Sequence, residues 1–108
     1  MSAKLPAAMA ACFAATNQHD VQGMIGVFAP GAVVKDEGQE HRGSVAIGQW
    51  MRETIRKYDF KVEPTAVAEQ DGTVVVTGLV SGNFPGSPLS LRHVFTLHDD
   101  EISRLEIG

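Results

Sequence analysis

Ala32-Val33-Val34-Lys35-Asp36-Glu37 is a short run with a β-branched core that alternates. In a strand, successive side chains point to opposite faces. Asp36 therefore shares one face with Val34 and Ala32, while Lys35 and Glu37 share the other with Val33. An acid on the apolar side of a strand must be partnered, solvated in a cavity, or neutral. A carboxyl group in a mostly apolar hollow is the alternative that points to chemistry, so the fold question is what surrounds this strand.

Helical patterns precede it. Leu5, Met9, Cys12, Phe13 and Thr16 recur at helical spacing, with Pro6 tolerated in the first turn. Asn17-Gln18-His19 ends that helix, and Asp20 is placed to cap a second, shorter one whose buried face is Val21, Met24, Ile25 and Phe28. Pro30-Gly31 reads as its stop. After the Asp36 strand, Gly38 marks a turn and Gln39 to Arg42 can pair back. Ser44 can cap a third helix with the stripe Ile47, Trp50, Met51 and Ile55, and Arg52, Arg56 and Lys57 lie toward its C-terminal end.

Everything after Tyr58 reads as β. Phe60 to Gln70 is one strand, with Pro64 marking an edge or a bulge. Asp71-Gly72 is a hairpin signal leading into the Val-rich strand Thr73 to Gly82. A turn-rich connection, Asn83 to Pro88, precedes the strand Leu89 to His98, and a tight turn at Asp99-Asp100 leads to Glu101 to Ile107. Three helices followed by a meander of long strands predict an α+β fold. The expected architecture is a cone: a curved antiparallel sheet wrapped around three helices of the N-terminal half, leaving a conical hollow.

Composition narrows the function classes. The length of 108 residues predicts one domain, spanning 1–108. A net charge of −4 without a basic stripe argues against a nucleic-acid partner. The single cysteine excludes an intrachain disulfide and points to a cytoplasmic location. The N-terminal stretch lacks a long apolar signal region, and the Ala-rich run is broken at Asn17 to Asp20 too soon to span a membrane. The four histidines lack helical ligand spacing, so no metal is expected, and no cofactor is implied.

The order of elements and several local runs resemble the nuclear transport factor 2-like superfamily, and within it the SnoaL-like polyketide cyclases and ketosteroid isomerases. The runs are Asn17-Gln18-His19-Asp20-Val21, Phe28-Ala29-Pro30-Gly31-Ala32-Val33-Val34-Lys35-Asp36, His41-Arg42-Gly43-Ser44-Val45-Ala46-Ile47 and His93-Val94-Phe95-Thr96-Leu97. In ketosteroid isomerases the acid ending the first strand is the general base that moves a proton α to a carbonyl, and Asp36 stands at that place. The positions of the family's hydrogen-bond donors carry Cys12, Met51 and His93 here. The base is kept and the donors are changed, which argues against steroid isomerisation, since a thiol is a poor donor. An Asp–Arg–Asp set of the limonene epoxide hydrolase type would need Arg92 to face inward. The resemblance also implies a homodimer of C2 symmetry through the outer sheet face, here Val94, Thr96 and the 74–76 run.

Parity on the late strand supports a site. If His93 points inward, so do Leu91, Phe95 and Leu97, while Arg92, Val94, Thr96 and His98 point outward. Asp36 and His93 would then face one hollow lined by Cys12, Phe13, Trp50, Phe60 and Phe95. The resulting expectation is a protein that binds a small apolar molecule. If it is an enzyme, Asp36 takes a proton and His93 donates to, or orients, the substrate oxygen. The alternative is a non-catalytic ligand-binding or dimerisation module, in which Asp36 and His93 merely bond each other. An open hollow favours the first reading; a cone filled by Trp50, Met51 and Phe84 favours the second.

Overall fold

The computed structural model describes residues 5–70 and 72–108. Three helices and six strands follow in the order α1 Ala7–Asn17, α2 Val21–Ile25, β1 Phe28–Asp36, β2 Gln39–Arg42, α3 Gly43–Tyr58, β3 Lys61–Gln70, β4 Thr73–Ser81, β5 Leu89–His98 and β6 Glu101–Ile107. The strands form one sheet in the order β2-β1-β6-β5-β4-β3. Neighbours run antiparallel except β1 and β6, which pair in parallel. That one parallel pairing joins the first strand to the last, a non-local contact with no signature in a reading of consecutive hairpins.

The apolar stripes explain the layering. Met9, Cys12, Phe13 and Thr16 of α1 are buried, as are Ile47, Trp50 and Met51 of α3. Helix α1 packs on β3 and β6, α3 packs on β1 and β2, and α2 lies against both helices. On the facing sheet, Val74, Val76, Gly78 and Val80 alternate inward along β4, and Phe95 and Ile102 are wholly inaccessible. Each such side chain contributes roughly 1.5–3 kcal/mol by leaving water. Among the described residues, no helix is long and apolar enough to cross a membrane.

Several local expectations are corrected. Phe28 belongs to β1, not to the second helix. Pro30-Gly31 does not precede the strand but lies within it, where the register against β6 shifts between Phe28 and Val33 and Gly31 takes φ 75°. A Pro-Gly pair that reads as a stop therefore makes an irregularity inside β1. Ser44 is not the cap of α3: the helix begins at Gly43, after Arg42, without a side-chain cap. Asp20, by contrast, does cap α2, accepting from the Gly23 N–H at 3.0 Å.

Pro64 lies on an edge strand and also at a register shift, between Pro64 and Ala66. Asp71 of the expected hairpin turn lies outside the described residues; Asp99 and Asp100 make theirs, with φ 51° and 65°. Val75 is half-buried on the outer face of β4.

The break between α1 and α2 also fastens the sheet. Asn17 at the end of α1 donates from Nδ2 to the Val62 carbonyl and accepts from the Val62 N–H, both at 2.8 Å. The His19 ring Nε2 lies 3.0 Å from the Phe60 carbonyl. These two side chains satisfy backbone groups at the start of edge strand β3 that would otherwise face water.

Candidate functional site

A cavity of about 510 Å³ opens between the helices and the concave face of the sheet. Its wall contains Asp36, His93, Cys12, Phe13, Trp50, Phe60 and Phe95. The structure thus brings all seven sequence-proposed side chains to one space. Met51 and Phe84 stand in the wall as well and leave the space open. Among the described residues, no lysine or arginine lines it; Arg92 is exposed on the other face of β5.

Asp36 is the last residue of β1, on the inward parity of Ala32 and Val34. Trp50, on the inner stripe of α3, donates from its indole Nε1 to Asp36 Oδ2 at 3.1 Å. Burial pushes the Asp36 carboxyl above its ordinary range; the Trp50 hydrogen bond opposes this, and the adjacent Glu37 carboxylate adds to the upward push. The result is a fixed carboxyl group whose proton affinity exceeds that of a solvated aspartate.

Strand alternation ends at Asp36. Glu37 takes φ 53° and Gly38 φ 76°, so Glu37 turns to the cavity mouth rather than to the outer face its parity predicted. There its Oε1 accepts from the Tyr58 hydroxyl at 2.9 Å. A second, smaller cleft of about 100 Å³ adjoins, lined by Asp36, Glu37, His41, Glu53, Lys57 and Tyr58 among others. Asp36 therefore stands between a larger apolar chamber and a smaller polar one. His41 lays its ring 5.9 Å from that of Trp50.

His93 is 6% exposed. Gly78 on neighbouring β4 backs its ring: a Cβ at that glycine would lie 3.0 Å from Cε1 and 3.2 Å from Nδ1. Phe13 meets it edge-on at 5.6 Å and Phe95 stacks at 6.5 Å. Its Nδ1 lies 3.2 Å from the Leu91 carbonyl. A carbonyl only accepts, so this contact assigns the ring hydrogen to Nδ1. Burial lowers the pKa, partly offset by the Leu91 and Val76 carbonyls, and favours the neutral ring. Asp36 and His93 make no hydrogen bond to each other; each is held separately. Burial pushes the Cys12 thiol up to about 12, while Thr16 donates to the Cys12 carbonyl at 2.7 Å.

Other wall residues escaped the sequence reading. Met24, Thr54, Tyr58, Val80 and Leu105 reach the cavity from four different elements. Val80 and Leu105 carry the ordinary signal of core positions; what makes them a wall is the unfilled space opposite.

A cone of this kind, with an inward acid ending the first strand, defines a member of the nuclear transport factor 2-like superfamily. More narrowly, residues 9–105 match the SnoaL-like domain model, and the chain belongs to that family. It is similar to a protein of Sinorhizobium meliloti provisionally named a polyketide cyclase, at 38% identity over 96% of this chain and 95% of that one, with a TM-score of 0.93. A Catenulispora acidiphila protein with a ketosteroid isomerase-like fold, solved with trimethylamine, shares 18% identity over 97% of this chain and 86% of that one, TM-score 0.85. A nuclear transport factor 2-like protein from Cytophaga hutchinsonii shares 15% over 100% and 91%, TM-score 0.77. These last two likenesses concern the fold alone. No curated protein matches the chain.

Proposed function

We propose that this protein binds a small apolar carbonyl compound in the cone and moves a proton on it, as an isomerase or cyclase would. Asp36 is the acid/base, and His93 orients the substrate. One observation carries the reading: a carboxyl with raised proton affinity, fixed by Trp50, in the wall of an open and largely apolar cavity of about 510 Å³. Proton transfer at carbon needs such a group within reach of the substrate and shielded from bulk water. The likeness to the Sinorhizobium protein named as a polyketide cyclase supports the same class. The side chains of Cys12, Phe13, Phe60 and Phe95 supply the apolar contact.

The test is solvent exchange. The protein is incubated with 2-tetralone in deuterated buffer, and loss of the α-proton signals is followed by NMR. Exchange above the buffer rate, abolished by Asp36→Asn, is the expected result. Undiminished exchange in the variant would refute the role of Asp36, and buffer-level exchange in the wild type would favour a non-catalytic binding module. We further place the protein in the cytoplasm as one domain, with its outer sheet face paired in a C2 homodimer. The half-exposed Val75 and Val94, which are register partners on that face, support the pairing.

A further inference from the structure

We infer that His93 selects ligands that carry a hydroxyl or N–H group, because its Nε2 is a hydrogen-bond acceptor presented to the cavity with no donor among the described residues to satisfy it. This selectivity rests on the proposed binding of a small organic ligand in the cone and fixes the polarity of one contact to it. The residue is 6% exposed. Among the described residues its ring is held through Nδ1, 3.2 Å from the Leu91 carbonyl, with the Val76 carbonyl also acting on the ring.

Among the same residues, no fully buried side-chain nitrogen or oxygen lacks a partner. Nε2 therefore retains accessible surface, and the space beside this ring is the cavity. The other sides of the ring are occupied: Gly78 lies behind the Nδ1–Cε1 edge, Phe95 stacks on it, and Phe13 meets it edge-on. With Nδ1 carrying the hydrogen, Nε2 keeps a lone pair. A polar atom facing an apolar chamber loses the hydration it had in water, so a ligand that donates to it recovers that cost, while one that cannot donate leaves it unmet.

The expected ligand thus places an alcohol, phenol, enol or amide N–H beside β5, on the sheet side of the cavity. This polarity is opposite to that of a donor aimed at a substrate carbonyl, which was the role the sequence suggested for position 93. The group that can donate is Asp36 in its protonated form, through Oδ1, since Oδ2 accepts from Trp50.

Two matched probes test this in the intact protein. Isothermal titration with 2-naphthol and 2-methoxynaphthalene compares an O–H with an O–CH₃ on one apolar frame. The affinity ratio in favour of 2-naphthol should fall about tenfold in His93→Phe, the worth of one hydrogen bond to a buried acceptor. An unchanged ratio, with both probes bound, would overturn the inference and leave the ligand-binding proposal standing. Failure of both probes to bind the wild type would count against that proposal itself, and against the inference with it. Independently of ligand or variant folding, long-range ¹⁵N–¹H spectra of the His93 ring at neutral pH should show the Nδ1–H tautomer; an Nε2–H tautomer overturns the inference.

Discussion

Gly78→Ala is the substitution on which the account of His93 is most exposed. Gly78 lies on the inner face of β4 between Val76 and Val80. A Cβ there would sit 2.7 Å from Val62 Cγ2, 3.0 Å from His93 Cε1 and 3.2 Å from His93 Nδ1. Ordinary carbon contacts begin near 3.5 Å, so the first two approaches must relax by roughly half an ångström or more. Neither neighbour has slack: Val62 is 4% exposed and His93 6%.

The ring can yield only toward the cavity, at the expense of its Leu91 contact. Overpacking of this kind costs about 1–3 kcal/mol. A domain of this size loses about 4–8 °C of Tm per kcal/mol. Gly48→Ala is the control, since its Cβ would approach Ile25 Cδ1 at 2.9 Å and Arg52 Nη1 at 3.3 Å, both ends of flexible side chains. Within a helix, Ala gains up to about 1 kcal/mol over Gly. Thermal melts by circular dichroism should therefore separate the two variants, with G78A lowered and G48A level or raised. His93 ring NMR shifts should move only in G78A. A G78A protein with wild-type Tm and unmoved ring shifts would refute the packing argument.

Further outcomes follow from the same geometry. The fold holds the Asp36 proton more tightly than the unfolded chain does, so this group's contribution to stability is full in acid and is lost as pH rises from near the unfolded value of 3.8 through the raised folded value. Urea midpoints of Asp36→Asn should gain on wild type across that window; a constant difference would contradict the desolvated carboxyl. Asn17→Ala strips both backbone groups of Val62 of their partners and should cost about 1–3 kcal/mol in denaturant unfolding, with hydrogen exchange at Val62 accelerated ahead of the rest of β3. A near-neutral effect would show that water replaces the amide without loss. Cys12, buried and with its thiol pKa pushed up to about 12, should resist aromatic disulfide reagents at pH 8 until denaturant is added; rapid labelling of the native protein would mean that α1 opens readily.

What could be read from the residues alone was whatever rests on short-range periodicity. The stripes of α1 and α3, the inward parity of Asp36 and His93, and the limits of β5 and β6 all follow from repeats of 3.6 or 2 within one element. Readings failed where a local signal competes with a distant partner. Pro30-Gly31 is a turn signal in isolation, yet pairing of Phe28 and Val33 with β6 on either side makes it an irregularity inside a strand. Glu37 has outward parity, yet the turn at Gly38 rotates it to the cavity mouth. Ser44 is a fair cap by type, but the cap position falls two residues earlier, at Arg42. The roles of Asn17 and His19 on β3 and the ring hydrogen of His93 depend on backbone groups elsewhere in space, which no spacing rule reveals.

The two outer strands leave little purchase for open-ended growth. Strand β2 is four residues long and carries Glu40, His41 and Arg42. Strand β3 is longer, but Asn17 and His19 occupy its first backbone groups, and Pro64 offers no N–H where its register slips. A further copy adding on edge-first would meet occupied or missing hydrogen-bonding sites, so stacking of this sheet into fibrils is disfavoured.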